Sequence, residues 1–296
     1  MIVGVQRYLE IWRAAPANLR GAIWAIAGAT SFTAMGALIR VLSSDISVQT
    51  IVFFRNAFSL PVLALWIVAV GRTASFKTTR VWMHLLRALF GVASLACLIV
   101  AFRHLDFALA TALAYTTPLW VIVLSITFIG ERPGWQRLLA TGLGFVGVLV
   151  IVRPLPVWEI GVWAALASAA FGATALSFLR YLSRLETTET LLFYFFLFGI
   201  IISAGPALFW GMLPTLQELA LLMAISAFGM AGLGFAANAF GVADATFVAP
   251  FDFIRLPLAS LIGILAFSEF PDMWLVLGSS TMIMALFVIV QIGSSK

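Results

Sequence analysis

An all-α polytopic membrane protein, with ten transmembrane helices arranged as a 5+5 inverted-topology repeat and both termini cytoplasmic, is the fold class this sequence predicts. Three observations carry that expectation: the composition, the spacing of the apolar runs and an internal duplication. Of 296 residues, 63% are hydrophobic and only 10% charged, and the mean hydropathy is +1.11. Soluble domains run near about 45–50% apolar and about 25% charged. An excess of this size leaves too little polar surface to cover a core, which excludes a soluble enzyme. The low charge excludes a disordered chain.

A helix that crosses a bilayer needs about 20 apolar residues, rising 1.5 Å each. The expected spans are 21–42, 48–70, 82–102, 107–129, 135–152, 160–181, 189–210, 217–238, 245–267 and 273–292. The connectors between them are short, so no extramembrane domain fits. Residues 1–20 place Tyr8, Leu9, Ile11 and Trp12 beside Arg7 and Arg13. They read as an amphipathic cytoplasmic segment lying in the interface, not as a signal peptide.

Lys and Arg placement orients the bundle. With the N-terminus inside, Arg7, Arg13, Arg20, Arg72, Lys77, Arg80, Arg132, Arg137, Arg180, Arg184 and Lys296 are cytoplasmic, against Arg40, Arg103 and Arg153 outside. This is a positive-inside bias. The net charge of +5 therefore orients loops and predicts no nucleic-acid partner. Cys97 is the one cysteine and the two histidines, His84 and His104, lie apart from any acidic cluster. Neither a disulfide nor a metal site is expected.

Displacing the chain by 138 positions aligns 91–152 on 229–290 without a gap. Gly91 meets Gly229, Asp106 meets Asp244, Glu131 meets Glu269 and Pro133 meets Pro271. One position further along, Trp24 and Phe32 fall on Trp163 and Phe171. Chance matches of Ala, Leu and Val are common in apolar chains, so the coincident acids and prolines carry the weight. Five spans are an odd number, so the second copy enters the membrane from the opposite side. The expected units are a first repeat over 21–152 and an inverted one over 153–296. That architecture belongs to secondary transporters with a site near the midplane.

The run Ala110-Thr-Ala-Leu-Ala-Tyr-Thr-Thr-Pro118, then Gly130-Glu131, Gly142 and Gly147-Val-Leu-Val-Ile-Val152, resembles the EamA-type half of the drug/metabolite transporter superfamily. Ser268-Glu269 echoes Gly130-Glu131 in the second half. The resemblance spans essentially the whole chain and implies a ten-helix bundle moving small metabolites without ATP. Met35-Gly-Ala-Leu-Ile-Arg40 and Tyr115…Pro118 are most similar to aromatic and broad-specificity amino-acid exporters, which carry larger aromatics where this chain has Thr116 and Thr117.

Ionisable groups inside a span need a reason to be there. Asp252 and Arg255 are i,i+3 neighbours bracketed by Pro250 and Pro257. They read either as a pair locking the ninth span to a neighbour, or as partners for a substrate's ammonium and carboxylate. Asp252 is also the plausible proton carrier. His84 and Arg87 are expected to snorkel to the cytoplasmic interface, and Arg55 to snorkel or to bond between helices. Glu131 and Glu269 each precede a proline and sit beside the next helix's positive end, as gating or structural acids. Asp106 and Asp244 read as N-caps. Phe32 and Phe171 should face one another across the centre, with Tyr115 and Phe253 a second equivalent pair. Met35 shares the face of Phe32, while Ser94 and Asn238 offer polar groups to a cavity or to a neighbouring helix. Pro118 and Pro257 are candidate hinges. Gly142-Leu-Gly-Phe-Val-Gly147 matches a dinucleotide fingerprint, yet it lies in an apolar helix and reads as close helix packing.

The expectation is a secondary transporter, not an enzyme, that exports amino acids and related small metabolites across a bacterial-type inner membrane by alternating access. It needs no cofactor and no partner beyond substrate and bilayer, with one chain as the working unit. A drug/cation or nucleoside-like metabolite transporter of the same fold is the alternative, and a membrane-embedded non-transport protein or enzyme is more remote.

Overall fold

The computed structural model describes residues 15–69, 76–124, 135–152, 159–243, 248, 251 and 254–294. Most of the interfacial segment expected over 1–20 lies outside them, as do Glu131, Asp244, Pro250, Asp252 and Phe253. Among the described residues the structure is helical, with eleven helices. These are α1 (Ala17–Leu42), α2 (Val48–Ala69), α3 (Val81–His104), α4 (Phe107–Ala114), α5 (Thr117–Leu124), α6 (Trp135–Val152), α7 (Ile160–Leu182), α8 (Thr188–Trp210), α9 (Leu216–Val242), α10 (Arg255–Phe267) and α11 (Met273–Ser294). Six of them, α1, α2, α3, α7, α8 and α9, are long and apolar enough to cross a membrane, and shorter apolar helices occupy the remaining expected spans. Large apolar side chains such as Leu65, Leu208, Phe209 and Leu265 stand exposed on the bundle. That is the natural state of a helix whose outer face meets lipid, where no hydrophobic force drives a leucine inward.

The fourth span, expected unbroken over 107–129, is two helices. A proline at 118 has no N–H to give the carbonyl of Ala114, so the helical ladder is interrupted there. The chain resolves this locally: Thr117 Oγ1 donates to Ala114 O at 2.8 Å and Thr116 Oγ1 to Leu113 O at 2.9 Å. The two hydroxyls thus take up carbonyls at the break, and Tyr115 is presented at the break itself. Of the ninth span, expected from 245, the described helix is Arg255–Phe267, and Pro257 lies in its first turn, where a missing N–H leaves no intrahelical bond unmade.

Packing follows a pattern of exchange. α1 lies along α9 and α3 along α7; α2 packs on α8 and α9, and α8 on α2 and α3. α10 contacts α1, while α4 and α5 contact α7; α6 pairs with α11. Exchanging α1 with α7, α2 with α8, α3 with α9, the α4–α5 unit with α10 and α6 with α11 leaves these pairings unchanged.

Position 142 of the glycine motif is open, position 144 faces Leu119, and position 147 meets the backbone of α11. α10 ends on Ser268, which has φ 56° and is the one non-glycine residue with positive φ among the described residues. The turn returns Glu269 N to Gly263 O at 2.9 Å. A left-handed residue with a Cβ costs roughly 1 kcal/mol relative to glycine. Ser268→Gly is therefore expected to stabilise the protein by about that amount, read as a higher unfolding temperature in detergent. An unchanged or lower temperature would sink this account of the turn.

Candidate functional site

A central cavity of about 300 Å³ lies among α1, α3, α4, α7 and α9, with side chains also entering from α2, α8 and α10. Its wall is largely apolar and aromatic. Four arginines line it, Arg55, Arg87, Arg180 and Arg255, and among the described residues that line it there is no acid.

Arg255 opens α10, and its guanidinium carbon lies 4.5 Å from the centre of the Phe32 ring and 5.6 Å from that of Tyr115. Both rings come from the other half of the chain. The break between α4 and α5 supplies Tyr115, and Gly232 on α9 makes room for Phe32: a Cβ there would lie 3.0 Å from the ring. Met35, one turn beyond Phe32, is buried and lines the same cavity. Ser94 also lines it, with Oγ donating to Ser168 O at 2.8 Å.

Several expected positions fall elsewhere. Phe171 is not among the lining residues and packs against Phe90, ring centres 6.1 Å apart. The reason is register. α1 and α7 end alike, with Ser43 donating N–H to Ile39 O and Oγ to Arg40 O, and Ser183 doing the same to Leu179 and Arg180. That equivalence is an offset of 140, not 139, and one residue turns a side chain by about 100° around a helix. Phe32 therefore corresponds to Gly172, which does line the cavity. Asn238 is likewise absent from the lining; its Oδ1 accepts from Thr188 Oγ1 at 3.1 Å, joining α9 to α8.

The arginines at 55 and 87 do not snorkel. Arg55 is 4% exposed and Arg87 2%. Their guanidinium carbons lie 5.7 Å and 4.7 Å from the centre of the same ring, that of Phe195 on α8. Arg87 Nη1 donates to Leu191 O at 2.9 Å. His84 is fully buried and meets Glu186 Oε2 through Nε2 at 2.7 Å, while Thr78 Oγ1 donates to Glu186 Oε1 at 2.5 Å. Glu186 carried no signal of its own in the sequence, because it sits in an ordinary polar turn.

At the opposite end of the bundle Glu269 joins three elements. Oε1 accepts from Arg40 Nη2 at 2.9 Å and Oε2 from Phe107 N at 2.6 Å, and Arg40 also donates to Phe102 O. Its carboxylate thus sits on the positive end of α4, not of the next helix, α11, which Asp272 caps through Leu275 N. Asp106 occupies the N-cap position of α4, yet its side chain makes no capping bond; Glu269 has taken the Phe107 N–H.

Comparison with known proteins agrees with this architecture. The EamA-like transporter family model matches residues 19–153. The pseudopaline exporter CntI of Pseudomonas aeruginosa is 31% identical over 274 residues, covering 90% of this chain and 94% of that protein. The S-adenosylmethionine uptake transporter of Rickettsia bellii is 28% identical, covering 90% and 92%. A riboflavin transporter of Rhizobium johnstonii is 28% identical, covering 92% and 91%. A solved crystal structure superposes with a TM-score of 0.65 over 93% of this chain and 97% of its own, at 20% identity, a likeness of fold alone. An all-helical apolar bundle with a central cavity and relatives named as transporters identifies an integral membrane protein, and the chain belongs to the EamA-like transporter family.

Proposed function

We propose that this chain is a secondary transporter that exports amino acids and related carboxylate-bearing metabolites across a bacterial inner membrane. Two five-helix units, 21–152 and 153–296, rock about a shared cavity as inverted repeats, with ten spans and both termini cytoplasmic. The exchange pattern of helix pairing supports the inverted repeat, because the main helix pairings map onto one another when the two units are exchanged.

The observation that carries the substrate reading is Arg255, whose guanidinium lies over Phe32 and Tyr115 in a largely apolar and aromatic cavity. A carboxylate meeting Arg255 gains a charge-assisted, bidentate contact in a low-dielectric setting. The flanking rings and adaptable Met35 suit varied side chains. A cation-drug reading gains nothing from a wall with four arginines. Asp252 remains the proposed partner of an ammonium group and the proposed proton site. Glu269, with Arg40, serves as a latch at one end, and Glu131 is assigned the equivalent role in the first unit. Relatives named for S-adenosylmethionine, pseudopaline and riboflavin support a permissive fold for small organic molecules.

Counterflow of radiolabelled amino acids, tested singly in liposomes containing only this protein, checks the reading. Saturable exchange is expected without a gradient, and a proton gradient should drive an uphill phase if Asp252 carries the proton. Absence of exchange for every amino acid would overturn the substrate assignment.

A further inference from the structure

Arg55 and Arg87 pose a physical problem that the Arg255 site does not solve. Each is nearly fully buried, both face the cavity, and both lie against the Phe195 ring. Among the described residues no carboxylate forms an ion pair with either one. Leu191 O takes one N–H of Arg87, whereas Arg55 Nε is buried with no hydrogen-bond partner. Two like charges in one low-dielectric pocket repel, and each has lost its hydration. Aromatic faces offset only part of that loss.

The chain makes deliberate room for this arrangement. A Cβ at Gly91 would lie 2.6 Å from Phe195 Cε2, and one at Gly229 would lie 3.0 Å from Arg55 Nε. These two glycines are repeat equivalents, so the duplicated sequence clears space at both positions for the ring and the guanidinium that meet there.

We propose that Arg55 and Arg87 form an anion subsite, and that the transported metabolite carries a second acidic group which docks there. This rests on the reading of the cavity as the substrate site and narrows its substrate class from zwitterions with one carboxylate to small metabolites with two acidic groups. The two cationic stations lie at different levels. Phe32 lies against Arg255, and Met35 Sδ is 2.9 Å from the Cβ position of Gly229, which also touches Arg55. Phe32 and Met35 are one turn apart on α1, so the stations are offset by roughly 5 Å along the cavity. A short diacid spans such an offset along an apolar wall. An acid beside Phe195 would satisfy the open N–H of Arg55 and turn mutual repulsion into attraction at both guanidinia.

The test is binding to the purified full chain in detergent, read as the ligand-dependent rise in unfolding temperature at matched ionic strength. The probes are glutamate, its near-isostere glutamine, citrate and sodium chloride. A ligand that binds only the folded state raises this temperature with concentration. Glutamate and citrate are expected to stabilise, chloride not, and glutamine only at roughly ten-fold higher concentration, the least that one charge-assisted contact is worth. Arg55→Gln and Arg87→Gln should each erase the preference for glutamate over glutamine, while Arg55→Lys and Arg87→Lys keep part of it. Equal response to glutamate and glutamine, no response to either glutamate or citrate, or a preference surviving in both Gln variants would overturn the subsite. If a Gln variant does not fold, the Lys series decides by whether the preference weakens. Diacid binding without counterflow would uphold the subsite and overturn transport. Amino-acid counterflow without diacid preference would do the reverse.

Discussion

Arg255→Ala is expected to lower the efficiency of amino-acid exchange by roughly ten- to a hundred-fold while membrane yield and unfolding temperature hold. The magnitude is that of a charge-assisted hydrogen-bonded contact, about 1.5–3 kcal/mol, lost from a desolvated site. The residue is suited to this role by position. It begins α10 and reaches across to Phe32 on α1 and Tyr115 at the α4–α5 break, so a substrate bound to it touches both halves of the chain. Arg255→Lys should recover only part of the activity, because an ammonium keeps the charge but not the planar fork or the stacking. Yield and exchange falling together would instead assign Arg255 to holding the helices in place, as one half of a structural pair.

Gly147→Leu should have the largest effect on stability. A Cβ at 147 would stand 2.7 Å from Gly278 O and 2.8 Å from Met282 Cγ, and one at 278 would stand 2.3 Å from Ile151 Cγ1 and 2.6 Å from Gly147 O. The obstructing atoms include backbone, which no rotamer change can move, so α6 and α11 must separate. In lipid their association depends on close van der Waals approach between small residues. Overpacking a tight contact costs about 1–3 kcal/mol or more, and a leucine adds further atoms beyond the Cβ. A much lower unfolding temperature and poor recovery from detergent are expected. Gly142→Ala, five residues earlier in the same G-x-G-x-x-G run, meets nothing within 4 Å. It should be neutral or stabilising by up to about 1 kcal/mol, since alanine favours a helix over glycine. Equal damage from both substitutions would refute the packing explanation and reopen the role of the motif.

The helices were legible because their cause is local. A run of about 20 apolar residues in lipid has no satisfactory backbone partner except itself, and most helices begin and end within a few residues of the expected bounds. Pro118 marked the disturbance in the fourth span, but not that Thr116 and Thr117 would turn it into a clean break. Phe32, Met35, Ser94, Tyr115 and Arg255 could be picked out by charge, polarity or repeat position, and all line the cavity. Phe171 failed through a single-residue error of register, which an apolar alignment has too few polar landmarks to prevent.

Composition and apolar spacing by themselves determined that this chain is a helical membrane protein, because burial of backbone polar groups acts residue by residue along the chain. Which arginines are buried together, which carboxylate caps which helix, and which face of α7 meets the cavity were decided only by the tertiary structure. Arg55 and Arg87 lie 32 positions apart on different helices, and each looks able to reach an interface when its own helix is considered alone. Only the packing of α8 against both, with Phe195 between them, withdraws the two charges from water and leaves them facing a common space.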